Sequence, residues 1–416
     1  MKVGIIGLGY VGLPLAIKFA EYFEVIGFDI NEKRVKELRN RFDRNLGVLE
    51  KEFERIKENI EFTNDKKKIS EMEVIIIAVP TPISKNKKPN LSYLENTSKT
   101  VGMNLKKGTI VVYESTTYPG CTEEFCLPIL EKESGLKLGE FSIGYSPERI
   151  NPGDKKHTID KIYKIVAGYD NKTTDKLAKI YGKITNVYKA PSIKVAEAAK
   201  VVENTQRGLN IALFNELAML FDKMNLDSKE VFDAASTKWN FLRFYPGFVG
   251  GHCIGVDPYY LIEKVKKNNY NPELILSGCK TNEILPYYVA RKIFKLSKRT
   301  NKDIKNSNIL ILGATYKEDV PDLRESKVRN MVEELKNLGF EKIMIYEPLI
   351  NKKEIFGIEN INKLEKPDIV VFVVNHKKFE NLNIFDLLNK NGILIDLKRK
   401  FNKKEAEEKG IVYWGL

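Results

Sequence analysis

The chain opens on a short apolar run, Lys2 to Ile6, which gives way to Gly7-Leu8-Gly9-Tyr10-Val11-Gly12 and then to apolar positions at helical spacing from Leu13 to Tyr22. A second short apolar run, Val25 to Phe28, ends on Asp29. Runs of four to six apolar residues between turn signals read as strands buried on both faces of a sheet. The same signature recurs at Val74–Val79, Thr109–Tyr113 and Phe141–Tyr145. Each of these ends in a polar tip: Pro80-Thr81-Pro82, Glu114-Ser115-Thr116-Thr117 and Ser146-Pro147-Glu148-Arg149. From Ser192 to Met224 the pattern turns helical, rich in alanine and leucine, without proline and with Gly208 as its one glycine. Helical periodicity returns after a glycine-rich turn near residue 250 and lasts to Lys298. Buried-strand runs then reappear at Asn308–Gly313, Lys342–Tyr346, Asp368–Val374 and Gly392–Asp396.

This alternation predicts an α/β fold: two Rossmann-like domains with parallel sheets, joined by a central helical segment that contains a long helix. The expected divisions are 1–190, 191–302 and 303–416. In the first domain the order strand, G-x-G-x-x-G, helix, strand, acid is the one a dinucleotide site requires. Gly7 makes the tight turn, Gly9 lets a pyrophosphate approach the backbone, and Gly12 permits helix–strand packing, with Tyr10 and Val11 between them. The helix N-terminus then faces the phosphates. Asp29, about 20 residues past the first glycine, would bond the ribose hydroxyls and repel a 2′-phosphate, which favours NAD over NADP. Arg34 could lie over the adenine or be a helix-surface cation. Ligands of open parallel sheets bind at the carboxyl ends of strands, so the tips carrying Pro80, Thr81, Thr116 and Glu148 should converge on the nicotinamide and substrate. The turn Gly313-Ala314-Thr315-Tyr316-Lys317 of the second Rossmann-like unit lacks the three glycines. It is expected to hold a different nucleotide, with Lys317, Arg324 and Arg399 as candidate phosphate contacts.

The 416 residues are 43% apolar and 30% charged, as in a globular protein. No apolar run approaches the roughly 18 residues of a membrane span. The chain enters its first strand directly, so a cytoplasmic location is expected. The net charge of +13 is spread over segments such as Lys66-Lys67-Lys68 and Lys398-Arg399-Lys400. It is not interleaved with aromatics, which argues for solvated faces and against a nucleic-acid interface. Four scattered cysteines and three separated histidines suggest neither a disulfide framework nor a metal site.

One cysteine stands apart. In Phe248-Val249-Gly250-Gly251-His252-Cys253-Ile254-Gly255-Val256-Asp257-Pro258-Tyr259-Tyr260 a thiol sits in a glycine-rich turn with an aspartate four residues on. Such a thiol is a nucleophile if its neighbours stabilise the thiolate, or otherwise a small packed hydrophobe. Lys200 and Asn204 lie four apart on one face of the long helix. Helical spacing alone would let Lys200 reach solvent and Asn204 bond a neighbouring helix.

Taken in order, these landmarks resemble the UDP-glucose/GDP-mannose dehydrogenase family over essentially the whole chain. The shared features are the Gly7–Gly12 fingerprint, Val79-Pro80-Thr81-Pro82, Ser115-Thr116, Ser146-Pro147-Glu148, the Lys200/Asn204 helix, the Gly250-Gly251-His252-Cys253 turn, and Gly313-x-x-Tyr316-Lys317 followed by Asp322-x-Arg324-x-Ser326. The resemblance implies an NAD-dependent oxidation of C6 of a nucleotide sugar from alcohol to carboxylate. It assigns Cys253 as nucleophile, Lys200 and Asn204 as donors to the developing oxyanion, Asp257 as acid/base, and Thr116 and Glu148 as residues that place nicotinamide, water and substrate. Two departures matter: Pro152 stands where UDP-glucose dehydrogenases carry a second glutamate, and Val256 where they carry lysine. The Pro147-Glu148-Arg149 and Gly251-His252-Cys253-Ile254 patterns resemble the branch acting on UDP-N-acetylhexosamines, and within it the stretches Glu114–Glu124 and Gly144–Asp154 look closest to the UDP-GlcNAc/UDP-GalNAc 6-dehydrogenases of capsule and O-antigen pathways. Arg149, Arg243 and His252 thereby become candidates for reading an acetamido sugar or diphosphate, alongside Gly250. The long helical middle also suggests at least a dimer. Within the family the competing substrates are UDP-N-acetylmannosamine and UDP-glucose. A non-enzymatic NAD-binding regulator would keep the fingerprint but need not keep Cys253, Lys200 and Asn204.

Overall fold

The computed structural model describes every residue except 45–47, 57, 85, 149–157 and 252. It divides into two compact units, Met1–Asn204 with Tyr259–Asn271, and Thr205–Pro258 with Pro272–Leu416. The predicted long helix is present as Ile193–Lys223, and its residues fall in both units.

The first unit is built on eight strands: β1 Lys2–Ile6, β2 Glu24–Phe28, β3 Ile60–Thr63, β4 Val74–Ile77, β5 Ile110–Tyr113, β6 Ser142–Tyr145, β7 Lys164–Gly168 and β8 Val187–Lys189. Their order across the sheet is β3-β2-β1-β4-β5-β6-β7-β8. Neighbours run parallel except β6 and β7, which pair antiparallel. Alternate residues supply the two faces. Val3, Ile5, Val74, Ile76, Ile110 and Val112 pack into one core cluster, while Ile6, Ile75, Ile77, Val111 and Tyr113 pack into another. Both faces are therefore dry, which is why these strands read as unbroken apolar runs. After β3 the chain crosses to the far side of β1, so the turns leaving β1 and β4 lie side by side. That is the switch point where open sheets of this kind bind ligands.

The second unit carries a five-stranded parallel sheet: β9 Ile309–Leu312, β10 Ile343–Tyr346, β13 Ile369–Phe372, β14 Ile393–Asp396 and β15 Val412–Gly415, in the order β10-β9-β13-β14-β15. A two-residue hairpin, β11 Glu354–Ile355 with β12 Ile358–Glu359, lies between. Ile309, Ile311, Ile369, Val371, Ile393 and Ile395 pack with Leu285, Val289 and Ile293 of the helix Glu273–Arg299. Leu310, Leu312, Val370, Phe372 and Leu394 face a separate cluster.

Candidate active site

At the β1–β4 switch point the glycines are required by space as well as by backbone conformation. Gly7 has φ +93° and donates its amide to Phe28 O at 2.8 Å. A Cβ on Gly7 would meet Ala78 O at 2.8 Å, and one on Gly12 would sit 1.8 Å from Gly7 O. Around Gly9, by contrast, nothing lies within 4 Å of where a Cβ would be. This is the open approach a pyrophosphate needs, at the start of a helix (Gly12–Ala20) whose N-cap, Val11, makes no side-chain cap. Asp29 follows β2 half-buried, its Oδ2 accepting the Leu8 amide and its Oδ1 the Asn31 amide, both at 2.9 Å. Both oxygens keep acceptor capacity for a ribose diol. The residues present thus fit a dinucleotide.

Arg34 is buried rather than a helix-surface cation. Its Nε donates to Leu8 O at 2.9 Å and its guanidinium pairs with Asp43 at 2.7 Å. The cation braces the glycine turn from behind.

The tip after β5 is anchored residue by residue. Glu114 is buried and accepts from Lys164 Nζ at 2.6 Å and from Tyr181 OH at 2.7 Å. Burial pushes its carboxyl above the ordinary range, with Lys164 partly offsetting this. The Ser115 hydroxyl donates to Val79 O at 2.7 Å, and Ser115 O accepts Tyr145 OH at 3.1 Å. Thr116, half-buried, is held between these contacts and a cluster centred on Glu197. Pro80 is exposed and Thr81 half-buried. Thr81 O accepts the hydroxyl of the buried Tyr260 at 3.0 Å.

Lys200 does not reach solvent. It is buried, and its Nζ donates to Glu148 O at 2.9 Å and to Glu148 Oε1 at 3.1 Å. Two site residues predicted 52 positions apart are thus brought together, and Asn204, one turn on, is also buried. Glu197, one turn before Lys200, is fully buried and accepts from Thr117 Oγ1 (3.2 Å), Thr122 N (2.9 Å), Thr122 Oγ1 (2.7 Å) and Gly120 N. Burial raises its carboxyl above the ordinary range despite the donors from Thr122, Gly120 and Thr117. Neither Glu197 nor the Glu114–Lys164–Tyr181 cluster is flagged by sequence spacing, because every partner is distant along the chain.

In the second unit the cysteine turn is wedged against the loop after β9. A Cβ on Gly250 would meet Glu325 O at 2.8 Å, and one on Gly251 (φ +77°) would strike the Tyr316 ring at 2.7 Å. Cys253 is half-buried, whereas Cys121 and Cys126 are buried. Cys253 O accepts the amides of Val256 (3.0 Å) and Asp257 (2.9 Å), which turns the chain into the helix Asp257–Lys267. Asp257 itself is buried. Arg149, His252 and Pro152 lie outside the described residues.

The predicted phosphate contacts have partners inside the unit. Arg399 gives its guanidinium to Asp227 (2.7 and 3.1 Å), Ser228 Oγ and Leu416 O. Arg324 forks onto Asp322 at 2.7–3.0 Å. Arg243 pairs with Asp233 and Ser236 and lies over the Tyr245 ring. A phosphate would have to share or displace these pairs. Lys317 is half-buried, its carbonyl accepting from Thr315 Oγ1 at 2.9 Å. Among the described residues no helix is long and apolar enough to cross a membrane.

Three family models match in succession: the UDP-glucose/GDP-mannose dehydrogenase family NAD binding domain at residues 1–185, its central domain at 194–284 and its UDP binding domain at 310–403. The Staphylococcus aureus protein CapL is 47% identical over 414 residues, covering 97% of each chain. A Salmonella typhi UDP-N-acetyl-D-glucosamine 6-dehydrogenase is 46% identical over 409 residues, 96% of each. The solved UDP-D-ManNAc dehydrogenase of Pyrococcus horikoshii superposes with a TM-score of 0.90 at 28% identity, covering 100% of this chain and 99% of that one. The chain belongs to the UDP-glucose/GDP-mannose dehydrogenase family and is an NAD-dependent nucleotide-sugar dehydrogenase.

Proposed function

Starting from that membership, we propose that the chain oxidises C6 of a UDP-N-acetylhexosamine, UDP-GlcNAc or UDP-GalNAc, to the uronic acid through a covalent Cys253 intermediate. NAD, when bound, accepts hydride. Oxidation of the alcohol releases a hydride and a proton and gives the aldehyde. The Cys253 thiolate adds to that carbonyl carbon as a thiohemiacetal, because an aldehyde donates hydride only once a nucleophile has made its carbon tetrahedral. Loss of a second hydride, together with the hydroxyl proton of the thiohemiacetal, leaves a thioester. Water cleaves it, returning the thiol and the carboxylate. Lys200 and Asn204 stabilise the oxyanion, Asp257 exchanges protons with water, and Thr116 and Glu148 position the reactants.

The observation that carries the reading is the Lys200–Glu148 pair. A cation and a carboxylate are held together out of water, where each acts on charge more strongly than in solvent. The 46%-identical relative named for UDP-N-acetyl-D-glucosamine supports the substrate class. The Pyrococcus structure, named for UDP-D-ManNAc, makes the mannosamine epimer the second reading. We also propose the division 1–190, 191–302 and 303–416, a reading that the matched spans 1–185, 194–284 and 310–403 support. We further read the chain as a cytoplasmic homodimer or larger oligomer; the exposed apolar residues of the long helix, Val195 and Val202 in the first unit and Leu213 and Leu220 in the second, support the oligomer alone.

The test is NADH formation from UDP-GlcNAc, UDP-GalNAc, UDP-ManNAc and UDP-glucose. Two NADH per UDP-GlcNAc or UDP-GalNAc are expected, and turnover of UDP-glucose alone would overturn the substrate. Cys253→Ser should form no acid. Full acid production by that variant removes Cys253 from its role.

A further inference from the structure

Thr116 lies in a segment whose two ends are secured by different parts of the fold. Upstream, Glu114 and Ser115 are fixed by Lys164, Tyr181, Val79 and Tyr145. Downstream, the chain leaves the sheet through Thr117–Gly120, and Gly120 takes φ +93°. Here two hydroxyls and two amides converge on the carboxylate of Glu197 in the long helix. Glu197 is three residues before Lys200 and seven before Asn204, hence on the same helix face.

A buried carboxylate is a costly way to fill core volume, since an apolar side chain would avoid the desolvation penalty. What it supplies is directional acceptors for a loop that no ladder or helix satisfies. We propose that Glu197 is a positioning residue that ties the Thr116 segment to the helix bearing Lys200 and Asn204, fixing the spacing between the two sides of the reacting centre. This rests on the placement of Thr116, Lys200 and Asn204 in the reaction as read above. The charge matters because both oxygens face donors. The amide nitrogen of a glutamine would confront either the Gly120 amide or the Thr122 pair.

The experiment compares wild type with Glu197→Gln, Glu197→Asp and Thr122→Val, each alone and combined with Thr116→Ala. It uses the nucleotide sugar that the wild type turns over. A shift of about 1 Å at a reacting group costs on the order of a hundredfold in rate. Glu197→Gln should therefore lower kcat about a hundredfold while leaving the KM for sugar within roughly threefold. Amide hydrogen exchange at Gly120 and Thr122 should quicken in the unliganded protein. In the Thr116→Ala background the further loss should be threefold or less, because coupled residues are non-additive. Losses that multiply in full overturn the proposal, as does unchanged kcat with faster exchange. Thr122→Val keeps the carboxylate and carries the same cycle if Glu197→Gln does not fold, with about a tenfold loss of kcat expected. A wild type inactive on every nucleotide sugar overturns the functional reading itself. An active wild type with an additive cycle overturns only the role of Glu197.

Discussion

Two turns in this molecule share a plan and differ in one acid. Gly7 follows β1, takes positive φ and donates its amide to Phe28 O at the end of β2. Gly313 follows β9, takes φ +85° and donates to Tyr346 O at the end of β10. In each unit the next residue after that second strand is acidic. Asp29 is half-buried, with one amide on each oxygen. Glu347 is sealed: Oε2 accepts the amides of Ala314 (2.8 Å) and Thr315 (3.1 Å) and meets His376 Nε2 at 3.0 Å, while Oε1 accepts the Leu349 amide. His376 Nδ1 accepts the Asp319 amide, so Nε2 is the nitrogen that donates. The first acid is left open to a ligand, and the second is consumed in fixing the loop that carries Tyr316 and Lys317. An acid at the end of the second strand is therefore no evidence of ribose recognition until its burial is known.

The largest test of this contrast is at the third glycine. Gly12→Ala places a methyl 1.8 Å from a backbone oxygen, so about 3 kcal/mol or more of stability should be lost, together with NAD affinity. Thermal melts and NAD titration calorimetry would show it. Thr315→Ala in the other unit trims only hydroxyl contacts and should cost about 1 kcal/mol.

Next is Glu347→Gln, expected to cost about 2–3 kcal/mol near neutral pH by breaking a buried charged network. Burial works to raise this carboxyl, but His376 and the Ala314 and Leu349 amides outweigh it and hold it below the ordinary range. A depressed carboxyl gives stability that is present above its unfolded value and is lost as pH falls through the folded one. The gap between wild type and variant in urea midpoint should thus be full above roughly pH 4.5 and narrow in stronger acid. A gap that widens in acid would reverse the assignment.

The smallest effect in free energy is at the open acid. Asp29→Asn turns its amide nitrogen toward either the Leu8 or the Asn31 amide, so it should cost about 1 kcal/mol of stability at this half-buried site, weaken NAD about tenfold and relax the rejection of NADP. Equal Kd ratios for the two cofactors in wild type and variant would show that Asp29 does not face the ribose.

The elements legible in the sequence were those buried on both faces. Val74–Ile77 and Ile309–Leu312 are unbroken apolar runs, and the glycine fingerprint names its own turn. The strand Lys164–Gly168 is opaque because it begins on a lysine, which is buried only because Glu114, 50 residues earlier, neutralises it. Helical spacing alone lets Lys200 reach solvent, because spacing carries no information about Glu148; the resemblance to the family is what points it into the site. Arg34 sits on a short amphipathic helix, and only the fold brings Leu8 O within reach. Glu197 and the His376–Glu347 pair were invisible for the same reason: their chemistry consists of contacts between distant segments.

The Glu114–Lys164–Tyr181 cluster also bears on the order in which the protein can be made. As the chain emerges from synthesis, Glu114 appears 50 residues before Lys164 and 67 before Tyr181. Until both arrive, the end of a central strand holds a carboxylate whose burial has nothing to offset it. Closing that end of the sheet before β7 and the helix Asn171–Tyr181 are delivered would bury an unpaired carboxylate, so pulse-labelling hydrogen exchange is expected to find β5 protected no earlier than β7.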